Sequence, residues 1–324
     1  MNKMKAAVCT KYGAPEVLKV TEVEKPTPKD DEVCIKIFAA GVTASDMFIR
    51  GSDIPLHLLH LKILMRFMIG ITKPRRPILG LVLAGKIESA GKNIKRFKIG
   101  DSVYGLAGFN FGAYAEYVCL KETDSTAGAI ALKPENISFE EATAAAYGGM
   151  LAFQFLEKGN IRKGDKVLIY GASSTSGTLA VQIAKHFGAE VTGVCSTSNL
   201  EMVKNLGADF VLDYTKQDLI SEGVKYDFVL DSVGKIKTSK LKEACKNALT
   251  PKGKYLTIDD KTLKLDSERL DKIKYFIEAG FIKPVLDRIY PLDEIVEAHR
   301  YVEKGHKKGG VAITINKETG GFRH

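Results

Sequence analysis

The chain contains 324 residues, more than one hydrophobic core usually supports, so we expect two domains. Its hydrophobic fraction of 45% and charged fraction of 27% are typical of a globular protein and exclude a disordered or fibrous chain. The formal net charge of +9 is spread along the sequence without a long basic run, which disfavours nucleic acid as a partner. No stretch of about 18 apolar residues predicts a membrane span.

The five cysteines are distant from one another in the sequence and form no CxxC pair. This spacing favours reduced thiols, and the first residues contain no apolar signal core. Both features predict a cytoplasmic protein without a disulfide framework. The cysteines are Cys9, Cys34, Cys119, Cys195 and Cys245.

Short β-rich runs separated by turn residues occupy the chain up to about residue 120. Strands and helices alternate after that point, with a strand at 166–171, a helix at 177–188 and a strand at 190–196. This alternation predicts a parallel sheet with right-handed crossovers. A last block, which begins at about residue 261, is expected to return to the first domain. The predicted limits are 1–120 for the first domain, 121–260 for the dinucleotide-binding domain and 261–324 for the returning segment.

The segment 52–77 is rich in large apolar residues and ends in basic ones. A helix that is apolar around much of its circumference fits this composition. We favour a lid or packed wall over an apolar substrate pocket, and a membrane-surface or subunit contact is the alternative.

Gly171 and Gly177 enclose a short loop between a predicted strand and a predicted helix, which is the context of a dinucleotide-binding loop. A tight turn there lets the backbone approach the pyrophosphate, and N–H groups at the helix start meet its charge. Ser174 takes the place of the middle glycine of the usual fingerprint. The hydroxyl groups of the loop are expected to compensate by donating to phosphate. They belong to Ser173, Ser174, Thr175 and Ser176.

The residue types at the end of the second strand of this domain predict whether NADH or NADPH binds. An NAD enzyme usually has Asp or Glu there, about 20 residues after the glycines. Residues 195–199 hold only Cys, Ser, Thr and Asn side chains, so no carboxylate in this stretch repels a 2′-phosphate. We therefore expect NADPH, with NADH as the alternative. Contacts are expected from Ser196, Thr197, Asn199, Tyr214, Val233 and Gly234, with Lys204 and Lys307 as further candidates.

The chain contains, in order, the motifs AAGVTASDMFIRG, KRFKIGDSVYG, GAYAEY, VQIAKHFGAEVTGVCS and YDFVLDSVG. Together these motifs closely resemble those of the medium-chain dehydrogenases/reductases, and they are similar above all to the quinone oxidoreductase (zeta-crystallin) and enone reductase branch. The resemblance implies a GroES-like β-rich catalytic domain beside a Rossmann-type doubly wound parallel sheet, with the active site between them. It also implies a homodimer.

The resemblance bears on zinc as well. Alcohol dehydrogenases of this superfamily hold zinc with a Cys at the position of Thr43 and with a Gly-His-Glu motif where this chain has Leu81 and Val82 after a glycine. None of these three side chains is a Cys, His or carboxylate ligand. The four-cysteine structural lobe that follows GDSVYG in those enzymes is missing too. We therefore expect no metal.

By the same resemblance, Thr43, Asp46 and Tyr114 are the catalytic candidates. The Tyr114 hydroxyl is expected to donate a hydrogen bond to a carbonyl oxygen as negative charge develops there, although a tyrosine packed in the core fits the same sequence. Asp46 has a structural or orienting role in many members of the family. The cleft is also expected to include Phe48, Tyr104 and Leu151, of which Phe48 replaces a Tyr and Leu151 replaces a Thr of the family.

Without a metal to polarise a carbonyl, simple alcohol oxidation lacks its Lewis acid, whereas a quinone or an α,β-unsaturated carbonyl delocalises the incoming charge. We therefore expect an NAD(P)H-dependent, zinc-free oxidoreductase that transfers hydride to a small apolar quinone or α,β-unsaturated carbonyl. One alternative is a metal-free NADP-dependent alcohol or aldehyde oxidoreductase. Another is an NADPH-sensing or nucleic-acid-binding protein whose catalysis has decayed.

Overall fold

The computed structural model describes residues 2–51, 69–235, 238–260 and 262–317. Most of the apolar segment 52–77 lies outside the described residues, so its expected role as a lid, wall or contact stays a prediction. Among the helices of the described ranges, none is both long and apolar enough to cross a membrane.

The described ranges contain fourteen strands and eight helices. The strands are β1 (Lys3–Cys9), β2 (Leu18–Glu24), β3 (Glu32–Gly41), β4 (Val82–Ala90), β5 (Ser102–Leu106), β6 (Tyr117–Lys121), β7 (Ala129–Leu132), β8 (Lys166–Tyr170), β9 (Glu190–Cys195), β10 (Phe210–Asp213), β11 (Tyr226–Asp231), β12 (Leu249–Thr257), β13 (Leu286–Pro291) and β14 (Gly310–Thr314). The helices are α1 (Ala44–Gly51), α2 (Phe139–Ala144), α3 (Met150–Gly159), α4 (Thr175–His186), α5 (Leu200–Asn205), α6 (Lys240–Asn247), α7 (Ser267–Glu278) and α8 (Ile295–Glu303). A π-helical turn, Ala145–Gly149, joins α2 to α3.

The β-rich domain is built on a seven-stranded sheet. Its strands lie in the order β13, β14, β3, β4, β5, β7, and β6 also pairs with β3. Side chains alternate between the two faces of a strand, so Val33, Ile35 and Ile37 of β3 all enter one buried cluster. β1 and β2 form a separate antiparallel pair.

The second domain is a five-stranded parallel sheet in the order β10, β9, β8, β11, β12. Val167 and Ile169 of β8 share a core cluster with Leu179 of α4. Leu168 points to the other face, where it shares a cluster with Leu241 of α6. Because helices cover both faces, the sheet is doubly wound, and the predicted fold class is confirmed.

The C-terminal part of the chain returns to the larger sheet through β13 and β14. β7 lies beyond the predicted limit at residue 120 and pairs with β5 in the same sheet. The domain limits stay a prediction, and this pairing favours a first limit after β7. One hydrophobic cluster includes Tyr104 and Val82 of the larger sheet as well as Val167 of the parallel sheet, so the two domains share a core.

Candidate active site

The phosphate loop joins β8 to α4 and depends on two glycines. Gly171 has a φ of +80°, and a Cβ placed on it would lie 2.3 Å from Val233 Cγ2. A Cβ on Gly177 would lie 2.1 Å from the Gly171 carbonyl oxygen. Both distances are far below van der Waals contact, so the loop can adopt this tight turn only with glycine at these two positions.

The hydroxyl groups of the loop bind other parts of the protein. The Ser174 hydroxyl caps α4 by accepting the Gly177 N–H at 2.9 Å. Ser174 and Ser176 also hydrogen-bond to the Ser232 hydroxyl, at 2.9 and 2.6 Å. Ser174 therefore shapes the helix start, and the charge of a phosphate would be met there mainly by the first-turn N–H groups of α4.

The C-terminal segment lies directly on this loop. The Gly309 N–H donates to the Ser173 carbonyl at 2.9 Å, and the Thr175 hydroxyl donates to the Gly309 carbonyl at 2.8 Å. The Lys307 ammonium donates to the Thr175 hydroxyl and to the Gly309 carbonyl. An ammonium group thus lies beside the predicted phosphate site, supplied by a residue that is distant in the sequence.

The end of β9 is lined by neutral side chains, but a carboxylate lies next to it. The Asn199 side-chain amide donates to the Ser196 hydroxyl at 3.1 Å. The Thr197 hydroxyl donates to Asp213, the last residue of the neighbouring strand β10. Burial alone would raise the pKa of Asp213, but hydrogen bonds from Thr197 and Thr215 outweigh it and lower that pKa. An ionised carboxylate therefore lies beside the predicted ribose site, although residues 195–199 themselves contain none.

Tyr214 follows β10 and lies close to the same edge. Its N–H donates to the Cys195 carbonyl at 3.2 Å, and its ring is 6.4 Å from that of Tyr170. The side chain is 40% exposed, which leaves a face open to a ligand. The structure thus brings Tyr214 to the end of β9, where sequence analysis placed a cofactor contact.

A buried ion pair holds the loop that follows β11. Asp231 Oδ1 accepts the N–H groups of Val233 and Gly234, at 3.0 and 3.2 Å. The Lys242 ammonium lies 2.7 Å from Asp231 Oδ2 and donates to the Gly234 carbonyl at 2.6 Å. Both charged side chains are almost fully buried. Val233 and Gly234, two of the predicted cofactor contacts, are therefore held rigidly next to the phosphate loop.

The three catalytic candidates lie together in the first domain. The Thr43 N–H and hydroxyl donate to Asp46 Oδ2 at 2.8 and 2.6 Å. Burial raises the pKa of Asp46 to about 6, although the hydrogen bonds from Thr43 lower it. Tyr114 is fully buried, and its ring makes an edge contact with His299 at 5.5 Å. Burial, together with the nearby Asp46 charge, keeps the pKa of Tyr114 well above its ordinary value of 10.

The remaining cleft candidates occupy three different environments. Tyr104 is fully buried and donates its hydroxyl to the Leu270 carbonyl at 2.7 Å, so it ties α7 to the larger sheet. Leu151 is buried in the core on α3. Phe48 is 38% exposed on α1. Tyr104 and Tyr114 are thus core tyrosines in the structure, and their assignment to the cleft stays a prediction.

Tyr147 is a candidate that sequence analysis missed. Its hydroxyl lies 3.1 Å from the Ser45 hydroxyl, next to the Thr43–Asp46 motif. Burial raises the pKa of Tyr147, and the charges of Asp46 and Asp259 raise it further. The adjacent Gly148 touches the phosphate loop, because a Cβ on it would lie 2.5 Å from the Thr175 carbonyl oxygen.

Tyr147 therefore lies where the Thr43–Asp46 motif, the π-helical turn and the phosphate loop meet. π-helical turns occur frequently at functional sites. The only signal in the sequence is a single tyrosine within a run of small residues, ATAAAYGG.

The positions that hold zinc in alcohol dehydrogenases carry no ligating side chain in this chain. Leu81 packs against both large hydrophobic clusters, and Val82 is fully buried in one of them. In the ranges that the structure describes, no group of three or more His, Cys, Asp or Glu side chains could hold a metal ion. The expected absence of a metal stays a prediction.

Family models match most of the chain. Residues 29–129 match the alcohol dehydrogenase GroES-like domain. Residues 177–259 and 261–313 match two models that are both described as zinc-binding dehydrogenase.

Similar proteins extend over nearly all of the chain. The 2-methylene-furan-3-one reductase of Solanum lycopersicum is 34% identical, over 96% of this chain and 79% of its own length. The chloroplastic NADPH-dependent alkenal/one oxidoreductase of Arabidopsis thaliana is 31% identical with the same two coverages. The structure of the quinone oxidoreductase from Coxiella burnetii matches with a TM-score of 0.80 and 26% identity, over 97% of this chain and 100% of that chain. The predicted resemblance is confirmed, and the chain belongs to the medium-chain dehydrogenase/reductase family.

Proposed function

We propose that this protein transfers hydride from NADPH to an α,β-unsaturated carbonyl or a quinone without a metal ion. Membership of the family supports an NAD(P)H-dependent oxidoreductase. Relatives named as a furanone reductase, an alkenal/one oxidoreductase and a quinone oxidoreductase support this class of acceptor. The observation that carries the proposal is the Ser45–Tyr147 hydroxyl pair, which lies one residue from the contact of Gly148 with the phosphate loop.

The residues of the parallel sheet fit a dinucleotide. The space over Gly177 is closed to any side chain, the start of α4 offers N–H groups, and Lys307 adds a positive charge. When bound, the reduced nicotinamide supplies the hydride. Val233 and Gly234 would lie along the bound cofactor, since Asp231 holds their backbone against the loop.

The preference for NADPH rests on the neutral side chains at the end of β9. Ser196 has a hydroxyl that can donate to a 2′-phosphate, and Asn199 fixes its position. Asp213 works in the opposite direction. Its negative charge is hydrogen-bonded to Thr197, the residue that follows Ser196, and it would repel a 2′-phosphate bound there. We therefore propose a modest preference for NADPH, with NADH accepted as well.

The hydroxyl pair suits an acceptor that gains negative charge on its oxygen. Because the pKa of Tyr147 is raised, its phenol stays protonated at neutral pH and can donate a hydrogen bond. The Ser45 hydroxyl is close enough to orient the same phenol or to donate beside it. When Ser45 donates to the phenol oxygen, the phenol hydrogen is free to donate to an enolate or a hydroquinone oxygen as it forms, which is the task that a metal performs in alcohol dehydrogenases.

Tyr147→Phe tests the role of this pair. The variant keeps the ring but removes the donor, so kcat should fall by about 10²-fold, the usual cost of losing one oxyanion donor. The Kd for NADPH should stay unchanged, because the phenol lies at the acceptor side. Tyr275→Phe, an exposed tyrosine on α7, serves as the matched control.

Tyr114→Phe tests the competing assignment that sequence analysis made. If Tyr114→Phe lowers kcat while Tyr147→Phe does not, the acceptor oxygen binds at Tyr114 and the proposed role of Tyr147 is wrong. Equal kcat values in the wild type and in both variants would remove tyrosine from the mechanism.

Turnover experiments separate the alternative functions. A metal-free alcohol or aldehyde oxidoreductase would oxidise an alcohol with NADP and leave the conjugated C=C bond of an enone unreduced. A sensor or nucleic-acid-binding protein with decayed catalysis would bind NADPH without turnover, or would bind nucleic acid with a steep salt dependence.

A cytoplasmic location and a homodimer are further parts of the proposal. β12 and β13 each lie at the edge of a sheet, where an unpaired strand can join a second copy. Light scattering should give twice the chain mass of 35.4 kDa, and a monomer would contradict the dimer. Fractionation of the source cells should recover the protein with the cytosol rather than with an organelle.

A further inference from the structure

Two of the five cysteines, distant in the sequence, lie opposite each other in the structure. Cys34 of β3 and Cys119 of β6 are register partners in the antiparallel ladder of the larger sheet. The two thiols are in hydrogen-bonding contact. The sequence spacing gave no hint of this pair, because the topology of the sheet brings the two strands together.

The position of the pair in the ladder fixes its backbone spacing. The Ile37 N–H donates to the Glu116 carbonyl at 2.8 Å, so these two residues form a hydrogen-bonded pair. Hydrogen-bonded and non-hydrogen-bonded pairs alternate along an antiparallel ladder, so Cys34 and Cys119 form a non-hydrogen-bonded pair. The Cα atoms of such pairs are about 4.5 Å apart, inside the range of about 4.4–6.8 Å that a disulfide spans.

Both thiols lie on the face of the sheet that is turned away from the core. Val33, Ile35 and Leu120 point into the hydrophobic cluster, so the residues between them in each strand point to the other face. There Cys34 is covered, with its Sγ 3.9 Å from the Pro26 carbonyl oxygen, and Cys119 is partly exposed. Small reagents can thus reach the pair through Cys119.

The pair differs from the other three thiols. Burial raises the pKa of Cys9 to about 11, and the pKa values of Cys195 and Cys245 to about 12. The hydrogen bond from the Cys119 thiol, by contrast, lowers the pKa of Cys34, and the same contact raises the pKa of Cys119 well above its ordinary value. Thiolate is the reactive form, so oxidation should begin at Cys34, with Cys119 as the second thiol.

We propose that Cys34 and Cys119 form a dithiol site that hydroperoxides oxidise to a disulfide. One thiolate of the pair attacks a peroxide oxygen, the O–O bond breaks, and the departing hydroxide takes a proton to leave as water. The second thiol then attacks the sulfenic acid, the S–S bond forms, and a second water leaves. Two thiols are oxidised and one hydrogen peroxide is reduced to two water molecules. This site does not depend on the proposed reductase activity.

Mass spectrometry of the full chain treated with hydrogen peroxide under native conditions tests this proposal. The oxidised chain should lose two hydrogens, and a non-reducing digest should contain a peptide that links Cys34 to Cys119. Dithiothreitol should restore both thiols. Cys119→Ser should abolish the cross-link, while Cys245→Ser should form it as fully as the wild type does.

Cys34→Ala provides a second variant, because it removes the buried partner without adding a polar group. In that variant Cys119 should give only a sulfenic or higher acid. The proposal is overturned if the wild type gives sulfinic acid without a cross-link, if the cross-link joins two chains, or if another cysteine pair forms at the same rate.

Discussion

Asp46 lies in a cluster of buried polar groups that leaves several atoms without partners. Among the described residues, no hydrogen bond reaches Arg50 Nε or either ring nitrogen of His299. Each such group costs free energy when it is taken out of water. Burial has the expected consequences, because it raises the pKa of Asp46 to about 6 and lowers that of His299 to about 3.

Asp46→Asn should change how stability depends on pH. The folded-state pKa of Asp46 lies above its ordinary value of 3.8, so the unfolded chain loses this proton first as the pH rises. The stability that the protonated carboxyl contributes is therefore present below about pH 4 and is lost as the pH rises to about 6. The Asn variant does not titrate, so it should be more stable than the wild type by about 1–3 kcal/mol above that pH.

Urea unfolding of both proteins at several pH values measures this difference. The free energy of unfolding of the variant should exceed that of the wild type by an amount that grows with pH and then levels off above about pH 6. A difference that is constant with pH would show that Asp46 titrates with an ordinary pKa.

Ser196→Asp should shift cofactor choice toward NADH. A carboxylate at the end of β9 repels a 2′-phosphate and accepts hydrogen bonds from the ribose hydroxyls. NADPH binding should weaken by about 1–3 kcal/mol, a factor of about 5 to 150, while NADH binding holds or improves. Fluorescence titration with both cofactors measures the ratio. A wild type that binds NADH more tightly, or a ratio that the variant leaves unchanged, would contradict the assignment.

Among the structural elements, the turn between β8 and α4 has little room for an added side chain. Gly177→Ala would place a methyl group 2.1 Å from the Gly171 carbonyl oxygen, so the turn must open to accommodate it. We expect a loss of at least about tenfold in NADPH affinity, because the helix start then no longer faces the phosphates. The parallel sheet should remain folded, as judged by far-UV circular dichroism.

Gly223→Ala is the matched control for this element. Gly223 has a positive φ, of +80°, which Gly177 lacks, but a Cβ on it has open space around it. The Gly223→Ala substitution should lower the free energy of unfolding slightly and leave NADPH affinity unchanged. Equal loss of affinity in both variants would mean that general destabilisation, rather than the shape of the loop, controls binding.

Local elements were predictable from the sequence because their signals lie within a few residues. The strand–glycine–helix order placed Gly171 and Gly177 in one turn, and the structure has this turn. The roles of the hydroxyl groups were not predictable, because their partners Ser232 and Gly309 are distant in the chain. Lys307 reaches the loop only because β14 returns the C-terminal segment to it.

On the scale of the whole molecule, chain length predicted two domains and the change of periodicity predicted the parallel sheet, whereas the GroES-like character of the first domain followed from the family resemblance. The site depends on contacts between parts of the chain that no local pattern connects. Tyr147 of the π-helical turn meets Ser45 of α1, and Asp213 at the end of β10 meets Thr197 beyond the end of β9. Sequence periodicity specifies which face a residue occupies, whereas the identity of its neighbour depends on strand order.

We propose that the whole protein reduces a conjugated acceptor without a metal ion. The most direct measurement is NADPH oxidation by chelator-treated protein, with its zinc content determined, on an enone, a quinone and the saturated ketone that matches the enone. We predict turnover of the enone or the quinone, none of the saturated ketone, zinc far below one atom per chain and rates that the chelator leaves unchanged. Turnover of the saturated ketone alone, or activity that follows the zinc content, would contradict the account.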